Sequence, residues 1–342
     1  MQHIFTRLLG AIVFFGYSGI LVSESSVAPT TVSPLFNTKF LSNPELVADF
    51  LIEKGFEVVS IKSDSLSLEG FFLNRGGEKT VIAIAGFLPG KITGMATLYE
   101  LLPDSHNILF INLRGKGNSG GRFDLCKIWR YGIDEYKDVC AAIAFAHKKT
   151  PHAKIIIHGI CAGGFHAMKA LAHLAESNKE LYTHVEHAII DSSFPSIRET
   201  GKTALCAEIE KQCRSIPLRT LTTATLKALY LCLHTCCISP FMWLNRDELT
   251  ITPEMIQKAS KSCKFLFVHG TRDTYAPIEK IQALMAHMSP ECYSVHYFDT
   301  SSHASLHLKF KDIYKELLSG IRSFKRMYTH QYAVATLARK SC

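Results

Sequence analysis

Short apolar runs separated by helix-length amphipathic stretches recur along most of this chain, and that alternation narrows its fold more than any other feature. "TVIAIAG" (80–86), "NILFINL" (107–113), "AKIIIHG" (153–159), "EHAIID" (186–191) and "KFLFVHG" (264–270) are too continuously apolar for strands with one wet face. Such runs belong to a parallel sheet covered on both faces, since each crossover between parallel strands needs a connecting helix. "GMATLYELL" (94–102), "YGIDEYKDVCAAIAFAHKK" (131–149), "AGGFHAMKALAHLAES" (162–177) and "IEKIQALMAHM" (278–288) supply those helices. "CYSVHYFD" (292–299) reads as a final strand, followed by a helix from about Leu306 to Lys325. "FEVVSIK" (56–62) and "LSLEGFFLN" (66–74) flank the turn-forming "SDS", which predicts a hairpin and hence an antiparallel edge. The expected fold class is α/β, a mostly parallel central sheet with helices on both faces.

The rest of the chain divides around this body. "MQHIFTR" carries Arg7 and leads into the apolar "LLGAIVFFGYSGILV" (8–22), too short for a typical spanning helix, so residues 1–28 read as a signal peptide or N-terminal membrane anchor. A cytoplasmic chain with an apolar N-terminal helix is the alternative. Residues 29–43 form a Pro-containing polar linker, 44–325 the main domain, and 326–342 a basic tail. Residues 194–245 break the alternation. Their run "LTTATLKALYLCLHTCCISPFMWL" (221–244) is apolar all round apart from Lys227 and His234, with Pro240 interrupting it. A helical cap over a ligand pocket fits this segment better than a second membrane span, because the next strand must return to the same sheet.

Composition excludes several function classes. The net charge is +8, but the basic residues are scattered, so no nucleic-acid partner is expected. The 11 cysteines include no CxxC pair, and His184 and His187 lack a second ligand pair nearby, so neither a metal nor a cofactor is expected. Most of these cysteines read as small buried hydrophobes.

Cys161 is different. "HGICAGGF" (158–165) sets it between Gly159 and Gly163, where a strand turns at once into a helix. A side chain on so sharp a turn stands above the sheet and tolerates only small neighbours. The positive end of the helix dipole favours an anion there. Asp273, in "HGTRDTYAP", and His303, in "TSSHASLH", each follow a strand, and parallel sheets gather functional groups at the carboxyl ends of their strands. Nucleophile, carboxylate and histidine thus come in the order Cys, Asp, His. Each residue also has a plainer reading. The glycines serve packing, Asp273 caps a helix, and His303 is one of 16 histidines. Asp191 ends a strand as well and is the alternative carboxylate.

With these residues in place, the chain resembles the α/β-hydrolases from about Glu57 to Phe324. "NLRGKGNSGGR" resembles the RGxGxS turn of serine-aminopeptidase-like and lipase-like members, and "DSSFPSIRET" the segment leading into their cap. "GICAGG" is similar to the elbow of dienelactone hydrolases, which use cysteine. The resemblance implies a Cys161–His303–Asp273 triad and an oxyanion hole from the backbone N–H groups of Ala162 and Phe87. The sequence departs from the usual pattern at Ala85-Gly86, where His-Gly is common. The implied activity is hydrolysis of an activated acyl bond (ester, lactone or thioester) in a small, hydrophobic substrate through an acyl-cysteine. An acyltransferase using the same intermediate is one alternative. The other, from a different class, is a non-catalytic, membrane-associated binding protein on this fold.

Overall fold

The computed structural model describes residues 35, 41, 43–87, 95–121, 131–212, 225, 228, 245 and 247–319. The N-terminal segment 1–28, most of the linker, the cap run 221–244 apart from Thr225 and Ala228, and the tail lie outside the described residues. Among the described residues no helix is long and apolar enough to cross a membrane.

Eight strands form one sheet in the order β1-β2-β4-β3-β5-β6-β7-β8. They are β1 (Glu57–Ser63), β2 (Leu66–Leu73), β3 (Lys79–Ile84), β4 (His106–Ile111), β5 (Lys154–Ile160), β6 (Val185–Asp191), β7 (Lys264–Gly270) and β8 (Tyr293–Phe298). β1 pairs antiparallel with β2 and β2 antiparallel with β4, whereas every other pairing is parallel. The expected hairpin is present, and its tight turn places Asp64 at φ 50°. Aspartate tolerates this left-handed region better than most side chains.

Alternate residues along each strand feed two separate cores, because successive side chains point to opposite faces. Ile82, Ile84, Leu109, Ile111, Ile155 and Ile157 face one core. It is covered by α3 (Glu135–Lys149), α4 (Ala162–Ser177), α7 (Pro253–Ala259) and α8 (Ile278–Met285). Val81, Ala83, Ile108, Phe110 and Ile156 face the other. There the cover is α1 (Pro44–Glu53), α2 (Leu98–Leu101), α9 (Leu306–Lys309) and α10 (Lys311–Ser319). The remaining described helices are α5 (Lys179–Thr183) and α6 (Ile197–Gln212).

Several elements depart from the sequence expectation: α2 covers only Leu98–Leu101 of the expected 94–102, α8 ends at Met285, and α5 was not anticipated. α1 was not anticipated, although Asn43 caps it by accepting from the Glu45 and Leu46 N–H groups at 3.1 and 3.2 Å, with Pro44 in its first turn. α3 starts at Glu135 rather than Tyr131, and Tyr131 sits in the preceding turn. The last helix is broken at Phe310, whose ring stacks on Phe298 at the end of β8, with centroids 4.5 Å apart. That contact holds the backbone out of helical register where the local sequence has no glycine or proline to mark a break.

Candidate active site

The turn from β5 into α4 throws Cys161 above the sheet. Its φ of 55° and ψ of −119° lie outside the regions a cysteine ordinarily occupies. Close packing holds it there. A Cβ on Gly159 would lie 2.6 Å from the Gly163 carbonyl carbon, and one on Gly163 would overlap the Ile84 carbonyl oxygen. A Cβ on Gly86 would come within 3.0 Å of the Cys161 Cβ, so the loop after β3 passes directly beside the cysteine. Two further non-glycine residues with positive φ, Ser192 (49°) and Ala304 (52°), sit after β6 and beside His303. Strained backbone clustered in this way is common at functional sites.

Cys161, His303 and Asp273 meet at this turn. His303 Nε2 lies 3.1 Å from Cys161 Sγ, and His303 Nδ1 lies 2.7 Å from Asp273 Oδ2. The other carboxylate oxygen of Asp273 accepts from the Tyr275 and Ala276 N–H groups at 2.9 and 3.0 Å. His269 Nε2 closes the same loop on the Ala276 carbonyl at 2.6 Å. Asp273 is therefore a loop cap as well as a partner of His303, and the two readings of it coexist. Burial opposes a charge on His303, but the Cys161 sulfur, the Asp273 hydrogen bond and the Asp273 charge outweigh it and hold the imidazolium well above its ordinary range. The Tyr275 ring stacks on the imidazole with centroids 5.3 Å apart.

The alternative carboxylate does not reach His303 by a hydrogen bond. Asp191 accepts from Ser192 Oγ and Tyr314 Oη, each at 2.7 Å, and Tyr314 in turn meets His158 Nε2 at 2.6 Å. Complete burial pushes the Asp191 carboxyl up to about 6 against the pull of those two donors. Its main-chain oxygen accepts the Cys161 N–H at 2.8 Å, so Asp191 supports the elbow through its backbone.

Phe87 follows β3, and Ala162 follows Cys161. Ala162 opens α4 at its N-terminal end, where the Gly164 and Phe165 N–H groups already donate to the Cys161 carbonyl at 3.1 and 3.4 Å. Phe87 lies between two groups the sequence reading missed, Lys116 and Tyr131. Lys116 falls within the "NLRGKGNSGGR" turn, but nothing in that motif singles out its lysine. Two of the other described thiols differ in setting. Burial pushes Cys140 up to about 12 and Cys263 higher still, which leaves both inert as nucleophiles at neutral pH.

No protein-family model matches the chain, and no curated protein matches it. Solved structures do. An esterase of Pyrococcus furiosus is 17% identical with a TM-score of 0.54, the match covering 88% of this chain and 97% of that one. A serine hydrolase of the polyaromatic-hydrocarbon-degrading Cycloclasticus zankles is 14% identical with a TM-score of 0.53, over 80% and 100% of the two chains. A proline iminopeptidase of Mycobacterium smegmatis is 11% identical with a TM-score of 0.52, over 78% and 98%. With the strand order and the strand-to-helix turn at Cys161, these likenesses identify the architecture: the chain has the α/β-hydrolase fold.

Proposed function

We propose that the protein is a hydrolase of activated acyl bonds that works through an acyl-cysteine on Cys161. The observation that carries this reading is the continuous chain from Cys161 Sγ through both nitrogens of His303 to Asp273, at 3.1 and 2.7 Å. The similarity of the fold to an esterase and a serine hydrolase supports the reaction class.

In this mechanism the Cys161 sulfur attacks the acyl carbonyl while its proton resides on His303 Nε2. The backbone N–H groups of Phe87 and Ala162 stabilise the oxyanion by about 3 kcal/mol each. As the tetrahedral adduct collapses, His303 hands the proton to the departing alkoxide or thiolate, leaving a thioester on Cys161. Water then gives a proton to His303 and attacks that thioester, and the acid leaves as the sulfur is expelled. Asp273 holds His303 in the tautomer that keeps Nε2 facing the sulfur. Esters, lactones and thioesters suit this chemistry better than amides, because a thiolate is expelled from the adduct more readily than an amine that has not been protonated.

The apolar run 221–244 supports a hydrophobic acyl group, and the apolar segment 8–22 supports export or anchoring through residues 1–28. A panel of p-nitrophenyl esters and acyl-thioesters of graded chain length tests the reading, with the trapped acyl group mapped by mass spectrometry. Turnover with the adduct on Cys161 is the expected result. An adduct on another cysteine, or none, refutes it. Turnover that depends on an added alcohol or amine acceptor identifies a transferase instead.

A further inference from the structure

Lys116 Nζ donates a 3.1 Å hydrogen bond to the carbonyl of Phe87, and the same ammonium lies 4.9 Å from the centroid of the Phe87 ring. Lys116 is only 8% exposed. Removing an ammonium from water is costly unless its new contacts replace the lost hydration. Its turn is built to hold it still. Gly115 and Gly117 on either side adopt φ of 72° and 52°, the Lys116 N–H donates to Leu113 O at 3.0 Å, and the Ser119 N–H donates back to Lys116 O at 2.9 Å. Next to it, Arg114 is locked onto the buried carboxylate of Asp138 at 2.7 Å.

The ring of Phe87 also meets the ring of Tyr131, centroids 4.5 Å apart, and Tyr131 Oη pairs with His166 Nε2 at 3.2 Å. His166 belongs to α4, the helix that Cys161 opens. Phe87 is thus gripped between the turn after β4 and the helix of the cysteine. Ala85 and Gly86, the two residues before Phe87, have no polar side chain, and Gly86 has no room for one beside Cys161.

We propose that Lys116 is a positioning residue for acyl transfer at Cys161. By anchoring the carbonyl on one side of the Phe87 Cα, it sets the direction of the N–H on the other side, aiming it at the developing oxyanion. A donor fixed before reaction needs no reorganisation when the charge forms. The proposal rests on the reading of Cys161 and Phe87 given above, and it explains why a lysine occupies the centre of "RGKGNS".

The test compares Lys116→Met, which keeps the length of the side chain but loses its charge and donor, with Lys116→Arg. On a p-nitrophenyl ester, Lys116→Met is expected to lower kcat by roughly 100-fold, as for a small misplacement of a reacting group, with KM changed by less than about threefold. Alkylation of Cys161 by iodoacetamide forms no oxyanion, so its rate at that residue should stay within about twofold of wild type. Lys116→Arg should restore most of the lost kcat. Hydrogen exchange at the Phe87 amide, read by mass spectrometry with electron-transfer fragmentation, should accelerate in Lys116→Met. Unchanged kcat with unchanged exchange overturns the proposal. So does a parallel loss of kcat and Cys161 alkylation, which marks a structural role. If the wild type turns over no ester, the acyl-hydrolase reading fails separately, and exchange at Phe87 still decides whether the clamp exists.

Discussion

Tyr314 Oη donates a 2.7 Å hydrogen bond to Asp191 Oδ2, tying α10 to the end of β6 directly beneath the elbow. On the neighbouring strand's loop, Asp273 Oδ2 sits at the same distance from His303 Nδ1. Two strand-end carboxylates in one sheet therefore have different partners, and they should respond differently to the same substitution.

Asp273→Asn is expected to lower ester turnover by about 1000-fold or more, because an amide favours the wrong tautomer of His303. It should also bring the imidazolium down toward its ordinary range, since the Asp273 hydrogen bond and charge are among the influences that raise it. Asp191→Asn should cost far less turnover. Steady-state kinetics on the two variants decide the matter, and greater damage from Asp191→Asn would exchange their roles.

The same residue makes a prediction about stability. The Asp191 carboxyl rises from 3.8 to about 6 on folding, chiefly through burial. Between those values the native chain binds a proton that the unfolded chain has released, so this contribution is present at pH 4 and is lost as pH rises through 6. Relative to Asp191→Asn, the wild type should lose roughly 2 kcal/mol of stability between pH 4 and 7. Urea unfolding across that range checks it, and a constant difference between the two proteins would refute it.

Buried histidines act in the opposite direction. Burial, with the charges of Lys169, Arg114 and Lys116, lowers His166 to about 3, and burial with His307 lowers His158 to about 3. Each is neutral in the native state while its unfolded counterpart protonates below 6.5, so their stabilisation is full above 6.5 and is lost as pH falls toward 3. His166→Gln, which can still bond to Tyr131, should reduce the slope of stability against pH between 4 and 6 by about 1.4 kcal/mol per pH unit. Calorimetry at several pH values measures that slope directly.

Two glycines should respond to alanine with opposite signs. Gly163→Ala drives a methyl group into the Ile84 carbonyl and should destabilise the fold by about 3 kcal/mol. Gly201, within α6, has nothing within 4 Å of its ideal Cβ, and Gly201→Ala should stabilise by roughly 0.7 kcal/mol. Denaturant midpoints of the two variants test the contrast.

Strands and elbow were legible in the sequence because their signals are local. Each fully buried parallel strand is an unbroken apolar run, and the small residues around Cys161 are forced by contacts within one turn. Asp273 and His303 were legible through their place after strands. Tyr131, Lys116 and Tyr314 were not. Their importance comes from what the topology sets beside them, Phe87 and His166 for the first, the Phe87 carbonyl for the second and Asp191 for the third. None of those partners lies near in sequence, so no periodicity or spacing could point to them. α1 begins at Pro44, where the linker expected over 29–43 ends, and its start signal is the local Asn43 cap followed by proline.

The 142-residue separation of Cys161 and His303 has a consequence in time. Ribosomes add about 5 to 20 residues per second, so the cysteine leaves the ribosome roughly 7 to 28 s before the histidine that serves it. During synthesis the β5–α4 turn passes through an interval as a bare thiol, with neither Asp273 nor His303 yet made. Tyr314, which steadies Asp191 beneath the turn, follows later still. The nascent chain therefore carries Cys161 long before it carries His303, and the contact between them forms only once β7 and β8 have joined the sheet.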